Sequence, residues 1–314
     1  MRWLVTGADK MVGRAVLRAV LDVGDEAIAI GSANSQSIAH DRVTYRDVDW
    51  RDDDDLARVT EGVEVIAHTD VGDPWSLDRK ACEEQVLVRT EALLDAANRA
   101  GARRFLFRSS ERVTSSGEPR RTVNERLAHS WRWLSPWDEM MSIAEGVVCA
   151  HAGASAGIAL RAGLVWGEGD DESLPRFVGL SERKALVLPS GPDTTLVTTH
   201  ARNLAQAFLC ASMAHNIEGS AYWISDGEWV FARKFLTRWL ASAGAKAPRR
   251  GLMPLRVADL LARWEQHHGG MSRAELALVG VTTILDGARA HNELAYEPLV
   301  SIDEGLAALL RAKI

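Results

Sequence analysis

The fold is decided by the stretch Thr6-Gly7-Ala8-Asp9-Lys10-Met11-Val12-Gly13. It follows a short apolar run at residues 3–5 and precedes a helical pattern, which predicts a strand, a loop and a helix. Glycines suit such a loop because backbone N–H groups at a helix N-terminus bind a dinucleotide pyrophosphate, and side chains would block its approach. Lys10 stands where the central glycine is expected. We interpret the stretch as a phosphate-binding loop whose lysine neutralises phosphate charge, the alternative being a corner that has lost its ligand.

Apolar, strand-like runs alternate with helical patterns through the first half of the chain. The runs lie at residues 3–5, 27–30, 63–67, 104–107 and 158–165. This alternation predicts an α/β fold with a doubly wound parallel sheet (Rossmann) of six or more strands. We expect a dinucleotide-binding domain over residues 1–166, to which residues 196–226 return. A smaller, interleaved C-terminal substrate lobe would comprise residues 167–195 and 227–314.

Composition and charge exclude several classes of function. A formal net charge of -6 over 314 residues gives no basic footprint for nucleic acid. The first residues already form a strand-like run, so no secretory signal is expected, and no run approaches the ~18 apolar residues of a membrane span. Cys82, Cys149 and Cys210 are far apart in apolar contexts and predict buried thiols without a disulfide. The chain is therefore expected to be cytoplasmic.

One helical pattern near residue 260 carries an apolar face. That face comprises Leu252, Leu255, Val257, Leu260, Leu261 and Trp264. We favour a core-facing helix, because most amphipathic helices pack their apolar face inward. The alternatives are a substrate cap and a helix that lies on a membrane surface.

The end of the second strand bears on the choice of cofactor. No Asp or Glu follows Ile30 to bind the adenosine ribose diol in the manner of NAD, so NADP is slightly favoured, or no cofactor at all. Ser32 and Ser35 could bind a 2′-phosphate, and Arg14 or Arg42 could pair with it. Turn-forming residues need no ligand to explain them, so the preference between the cofactors stays open.

Several motifs beyond the loop resemble the extended short-chain dehydrogenase/reductase superfamily, in its 3β-hydroxysteroid dehydrogenase and NAD-dependent epimerase/dehydratase branch. Residues 48–56 resemble the motif whose carboxylate holds the adenine, and residues 160–167 resemble Leu-Arg-Pro-x-x-Val-Tyr-Gly. The resemblance covers nearly the whole chain and implies NAD(P) binding and a small hydrophobic substrate. It also implies a homodimer formed through helices at about residues 86–97 and 140–151. The cofactor contacts implied are Gly7, Lys10, Met11, Val12, Gly13, Ser32, Asp49, Trp50 and His68.

The catalytic motif of that superfamily is incomplete here. Ser110 occupies the place of the catalytic serine, but Trp137 and Met141 stand where a tyrosine and a lysine four residues apart are expected. An indole N–H can only donate a hydrogen bond, and a thioether cannot lower the pKa of a neighbour. Asp70 also replaces a small residue beside the cofactor, and Val86 replaces an asparagine.

Three hypotheses follow. The first is an atypical oxidoreductase on a bulky apolar alcohol or ketone, steroid-like or polyketide-like, with its proton donor among Asp70, Asp138, Glu139 and His68. The second is a non-redox isomerase, lyase or cyclase using a carboxylate whose pKa burial raises, for which Asp70 is favoured. The third is a ligand-binding protein without catalysis, in which Trp137 and Trp166 line the former site. No metal site and no Ser-His-Asp hydrolase is predicted.

Overall fold

The computed structural model describes residues 1–31, 38–151, 153–251 and 253–311. Its strands are β1 (Arg2–Thr6), β2 (Glu26–Ile30), β3 (Val43–Arg46), β4 (Val65–His68), β5 (Arg104–Ser110), β6 (Arg120–Val123), β7 (Ala156–Ala162), β8 (Leu164–Trp166), β9 (Val187–Leu188), β10 (Thr195–Leu196), β11 (Thr198–His200), β12 (Ala221–Ile224), β13 (Val230–Phe231), β14 (Arg249–Arg250) and β15 (Thr283–Leu285). The helices are α1 (Met11–Asp22), α2 (Asp53–Thr60), α3 (Arg79–Cys82), α4 (Arg89–Ala100), α5 (Pro136–Ala150), α6 (Ser173–Glu182), α7 (Ala201–Met213), α8 (Ala232–Ser242), α9 (Leu255–Glu265), α10 (Arg273–Gly280), α11 (Ala288–Leu294) and α12 (Ile302–Arg311). A π-helical turn (Glu83–Val88) joins α3 to α4, and a 3-10 turn (Glu111–Thr114) follows β5.

A seven-stranded sheet in the order β12-β7-β5-β4-β1-β2-β3 forms the centre of the fold, with every pair parallel. Its strands are apolar runs because helices cover both faces: α1, α7 and α11 on one side, and α2, α4 and α5 on the other. The predicted doubly wound sheet is confirmed. The strand order reverses between β1 and β4, because β2 and β3 follow on one side of β1 and the later strands on the other. A ligand crevice is therefore expected at the carboxyl ends of β1, β4 and β5.

The remaining helices build a third core beside this sheet. Trp166, Phe177, Phe235 and Trp239 are fully buried there among side chains of α6, α8, α10 and α12. Short strand pairs connect this core to the rest, including β6 with β15. Tyr296, just after α11, instead packs into a core of the main sheet. The division of the chain into a dinucleotide domain and a substrate lobe stays a prediction.

Helix α9 differs from the core-facing helix that we predicted. Leu255 packs on the third core, but Val257, Leu260, Leu261 and Trp264 are 46%, 66%, 42% and 60% exposed. The core-facing prediction is wrong for these four side chains, because α9 also has an inward side with Leu255, Ala258 and Ala262. Leu252 lies outside the described residues.

The cysteines are free thiols, as predicted. Cys82 is buried, and Cys149 and Cys210 are half-buried. Burial raises the pKa of Cys149 to about 12, which leaves it unreactive at neutral pH. Among the described residues, no helix combines the length and the apolar character that crossing a bilayer would require.

Candidate functional site

The loop between β1 and α1 has the geometry of a phosphate-binding loop. Gly7 has a φ of +63°, and a Cβ on Gly13 would lie 2.0 Å from the carbonyl oxygen of Gly7. Both glycines are therefore required for the loop to close. Lys10 precedes α1 in extended conformation, with a φ of -104°, so the missing central glycine is not required by the backbone.

An internal carboxylate lies at the N-terminus of α1. The Met11 amide donates to Asp171 Oδ1 over 3.2 Å, and Arg14 Nη1 lies 3.3 Å from Asp171 Oδ2. Arg14 also donates to the carbonyl oxygen of Gly169 over 2.8 Å. The site at which a dinucleotide phosphate would bind thus already holds an anion. The Asp171 side chain is 39% exposed, which leaves it room to move outward.

Lys10 is held by Asp70 rather than free for phosphate. Its Nζ lies 2.7 Å from Asp70 Oδ1, and Arg89 Nη1 lies 3.4 Å from Oδ2. Burial alone would raise the pKa of Asp70, but these ion pairs outweigh it and the pKa falls below its usual value. The hypothesis that Asp70 is a carboxylate of raised pKa is therefore wrong, and Asp70 is also unsuited to donate a proton.

Trp137 and Met141 have structural roles at the start of α5. The helix begins after Ser135, with Pro136 at its first position. Trp137 Nε1 donates to the carbonyl oxygen of Val71 over 2.7 Å, and Met141 is completely buried in the core that also contains Val86. Trp137 and Met141, at the positions expected for a proton-transferring tyrosine and lysine, therefore stabilise the fold instead.

Arg112 occupies the space in front of Trp137. Its guanidinium carbon lies 4.8 Å from the Trp137 ring centroid and 5.0 Å from that of Trp75, so it is sandwiched between two indoles. Its Nη2 lies 2.7 Å from Asp138 Oδ1. Burial raises the pKa of Asp138, and the opposing effect of Arg112 is smaller. Asp138 is thus a buried carboxyl that pairs with Arg112 and has its pKa raised by burial.

Ser110 borders a small cavity at the end of β5. Its Oγ accepts from the Arg112 amide over 3.2 Å. The cavity measures about 30 Å³, and its wall includes Trp75, Arg108, Arg112, Trp137, Leu164 and Leu278. Such a volume holds roughly one or two water molecules and no nicotinamide ring. A substrate can reach Ser110 only after side chains of this wall move.

Two acidic residues beside this cavity were missed from the sequence. Arg108 Nη2 lies 2.7 Å from Glu172 Oε2, and both side chains are buried. Asp170 accepts from the amides of Glu172 and Ser173, and burial raises its pKa to about 7. The signal available was the acidic run after Trp166-Gly167, because carboxylates at a helix start cap its free amides.

The other predicted site residues are placed as follows. His68 is fully buried, with Nδ1 2.9 Å from Thr6 Oγ1 and Nε2 3.1 Å from Thr90 Oγ1. Burial lowers its pKa to about 4, so it stays neutral and the prediction of His68 as proton donor is wrong. Glu139 pairs with Arg79, with Oε1 2.9 Å from Nη2.

The predicted adenine side is exposed. Asp49 accepts from the Arg51 amide over 3.0 Å, and the Trp50 ring carries the Arg89 guanidinium carbon at 5.3 Å. Neither contact tests a role toward adenine, which stays a prediction. Ser32 and Ser35 lie outside the described residues.

Two further residues singled out from the sequence, Arg42 and Trp166, are held by contacts elsewhere. Arg42 donates to the carbonyl oxygens of Leu21 and Asp25, so it is held away from a 2′-phosphate. Trp166 is completely buried and donates to Asp226 over 2.8 Å, so the prediction that it lines the site is wrong. Within the described ranges, no group of three or more His, Cys, Asp or Glu side chains is placed to hold a metal ion.

Comparison with known proteins gives consistent matches over the whole chain. The model of the 3-beta hydroxysteroid dehydrogenase/isomerase family matches residues 4–255. A 3 beta-hydroxysteroid dehydrogenase/Delta 5-->4-isomerase of Mycobacterium tuberculosis is 27% identical, over 98% of this chain and 89% of that protein. A 2-alkyl-3-oxoalkanoate reductase of Stenotrophomonas maltophilia is 26% identical, over 98% of both chains. A dTDP-glucose 4,6-dehydratase from Streptomyces venezuelae, solved with NAD bound, has a TM-score of 0.77 at 22% identity, covering 99% of this chain and 96% of that one.

Proposed function

The chain belongs to the 3-beta hydroxysteroid dehydrogenase/isomerase family, and we propose that it is an atypical NAD(P)-binding oxidoreductase acting on a bulky apolar alcohol or ketone. The resemblance inferred from the motifs is confirmed by this family match. The two relatives described above are named as a steroid dehydrogenase/isomerase and as a reductase of 3-oxoalkanoates. Both names describe oxidoreductases of largely apolar molecules, which supports the same substrate class here.

The observation that carries the proposal is the anion already bound at the start of α1. The Met11 amide and Arg14 hold the Asp171 carboxylate, so this end of the loop binds negative charge in its present conformation. A pyrophosphate would take the Met11 amide once Asp171 turns outward. Lys10 stays with Asp70. When bound, NAD(P) would supply the hydride acceptor or donor.

Asp138 is the proton donor that we propose in place of the tyrosine. Burial raises the pKa of Asp138, whereas the pKa values of Asp70 and His68 are lowered and Glu139 is paired with Arg79. Its partner Arg112 lines the cavity beside Ser110, so movement of Arg112 would both enlarge the cavity and expose the carboxyl. Ser110 would hold the substrate oxygen. The same movement of Arg112 would therefore admit the substrate and expose the Asp138 carboxyl to it.

NADP is the cofactor that we propose, because no carboxylate follows Ile30 at the end of β2. A homodimer through α4 and α5 is also proposed. Val88, the last residue of the π-helical turn before α4, and Ile143 on α5 are each 38% exposed, which suits a helix-on-helix contact. Light scattering with an Ile143→Arg variant tests the dimer: the wild-type mass should be twice that of the variant.

Turnover measurements test the redox proposal. Absorbance at 340 nm is followed with NADPH or NADP and a panel of hydroxysteroids and 3-oxoalkanoates, for the wild type and Asp138→Asn. We expect substrate-dependent change for the wild type, reduced about 100-fold or more in Asp138→Asn with NADPH binding retained. Equal turnover of both proteins would exclude Asp138 as proton donor.

A non-redox isomerase or lyase is the second candidate. It is favoured by the Trp137 bond to Val71 and the burial of Met141, which remove the proton shuttle of hydride transfer but leave Asp138 as a buried carboxyl of raised pKa. The two candidates differ in one readout. A non-redox enzyme would convert substrate, followed by chromatography, without any change at 340 nm, and would lose this activity in Asp138→Asn.

A further inference from the structure

We propose that helix α9 is an interfacial helix, by which the protein docks on the surface of an anionic lipid bilayer without crossing it. The docking surface consists of Val257, Leu260, Leu261 and Trp264, flanked by Arg256 and Arg263. This inference does not depend on the proposed redox function.

The apolar part of the surface follows helical spacing. Val257, Leu260, Leu261 and Trp264 are at positions i, i+3, i+4 and i+7, so they form one stripe along α9. All four are between 42% and 66% exposed. A helix on the surface of a water-soluble protein normally has a polar outer face. Because the inner side of α9 already packs on the third core, this outward stripe is additional, and Trp264 within it stacks on the ring of His268 at a centroid distance of 3.9 Å.

The cations of α9 lie along one edge of that stripe. Arg256 and Arg263 are seven residues apart and therefore lie on the same side of the helix. Arg263 lies 3.8 Å from Asp259, whose nearer partner is Arg273 at 2.8 Å. Arg256 is exposed and forms no ion pair with any described residue. The helix also carries Asp259 and Glu265, so its formal charge is zero. On a chain of net charge -6, Arg256 is therefore the cation that would orient the start of α9 toward an anionic surface.

A neighbouring loop adds a second aromatic group and another cation. Trp131 is 85% exposed, and the next residue, Arg132, lines a cavity of about 310 Å³ together with Leu255 and Arg256 at the start of α9. Tryptophan is the side chain most typical of the membrane–water interface, because its ring is apolar and its N–H is polar. The combination of exposed Trp, Leu and Arg fits a lipid headgroup layer.

A second copy of the chain fits this surface less well. In a two-fold symmetric contact between two α9 helices, each stripe would meet itself, and the arginine edges would approach one another. Anionic lipid headgroups instead neutralise Arg256 and Arg263 while the acyl region receives the apolar stripe.

Vesicle sedimentation tests the proposal. The full chain is mixed with vesicles of phosphatidylcholine alone, or with about one-third phosphatidylglycerol, at low and high salt. The wild type should sediment with the anionic vesicles, and the bound fraction should fall at high salt. The double variant Leu260→Glu with Trp264→Ser should lower the vesicle affinity about tenfold or more.

Matched variants separate the outcomes. Arg256→Glu with Arg263→Glu should abolish the preference for phosphatidylglycerol, whereas Trp229→Ser, another exposed tryptophan, should bind like the wild type. All substituted side chains are exposed, so folding should persist, and circular dichroism checks this. No sedimentation of the wild type, or equal sedimentation of the Leu260→Glu, Trp264→Ser variant, would overturn the proposal. A dimer that this variant dissociates, without vesicle binding, would assign the surface to a second copy instead.

Discussion

The ligand crevice at the carboxyl ends of the central strands has a phosphate end at the β1–α1 loop and a reaction end at Ser110 and Trp137. These two ends are built from different chemical groups. At the phosphate end, the necessary groups belong to the backbone: the turn at Gly7, the close approach at Gly13 and the amide of Met11. At the reaction end, the necessary groups would be side chains, and Trp137 and Met141 stand there instead. The backbone end persists partly because the fold itself needs it. Gly13 must be glycine for the loop to close, with or without a nucleotide.

The substitution Gly13→Ala tests whether the fold itself needs this glycine. In Gly13→Ala the new Cβ would lie 2.0 Å from the Gly7 carbonyl oxygen, so the β1–α1 corner must distort. We expect the free energy of unfolding to fall by about 4 kcal/mol, measured by urea denaturation. The control is Gly146→Ala in α5, where a Cβ has no neighbour within 4 Å and stability should rise slightly. Equal stability of the two variants would show that Gly13 is retained for a ligand alone.

Restoring the lost lysine addresses the other end of the cleft. Met141 is completely buried, so Met141→Lys would place a charge in an apolar core. We expect a loss of about 3 kcal/mol in unfolding free energy, against less than about 1.5 kcal/mol for Met141→Leu. A fully stable Met141→Lys, alone or with Trp137→Tyr, would contradict the view that this end has become structural. Regained hydride transfer in the variant with both Met141→Lys and Trp137→Tyr would also contradict that view.

The acidic loop between the two ends predicts a dependence on pH. Burial raises the pKa of Asp170 from 3.8 to about 7, so between these values the native state keeps a proton that the unfolded state releases. Stability contributed by the protonated form is therefore lost as pH rises through this window. Asp170→Asn keeps the capping geometry without titrating, and should remove a slope of about 1.4 kcal/mol per pH unit from the unfolding free energy across this window. Parallel curves for wild type and variant would contradict this assignment.

The smallest effect concerns the internal anion at α1. Asp171→Asn removes the negative charge beside Met11 and Arg14 but keeps the size of the side chain. We expect the dissociation constant for NADPH to fall about tenfold, or about 1.4 kcal/mol, measured by quenching of tryptophan fluorescence. Asp22→Asn, at the far end of α1, is the control and should leave the affinity unchanged. Weaker binding by Asp171→Asn would mean that Asp171 supports the cofactor rather than competing with it.

Local periodicity was sufficient to predict the sheet and the phosphate loop from the sequence. The strand-loop-helix around Gly7 and Gly13 involves neighbours along the chain, and the alternation of runs predicts the parallel order. Asp171 and Met11 are 160 residues apart, and no local pattern indicates their contact. The same holds for Arg112 between Trp75 and Trp137, and for the pairing of Asp70 with Lys10 and Arg89.

The error at α9 has a different physical cause. Periodicity identifies an apolar face, but it does not say whether that face meets the core or the solvent when both sides of a helix carry apolar residues. Leu255 packs inward and Leu260 points outward on the same helix. The third core fixes which side is buried, and it forms from residues distant in sequence.

Titration of the wild-type protein with NADPH and NADH shows whether the β1–α1 loop binds a dinucleotide. Quenching of tryptophan fluorescence and energy transfer to the reduced nicotinamide report binding at equilibrium. We predict saturable binding with a dissociation constant of about micromolar order, tighter for NADPH. No binding at millimolar concentration, by the wild type and by Asp171→Asn alike, would contradict the claim that the β1–α1 loop still holds a dinucleotide.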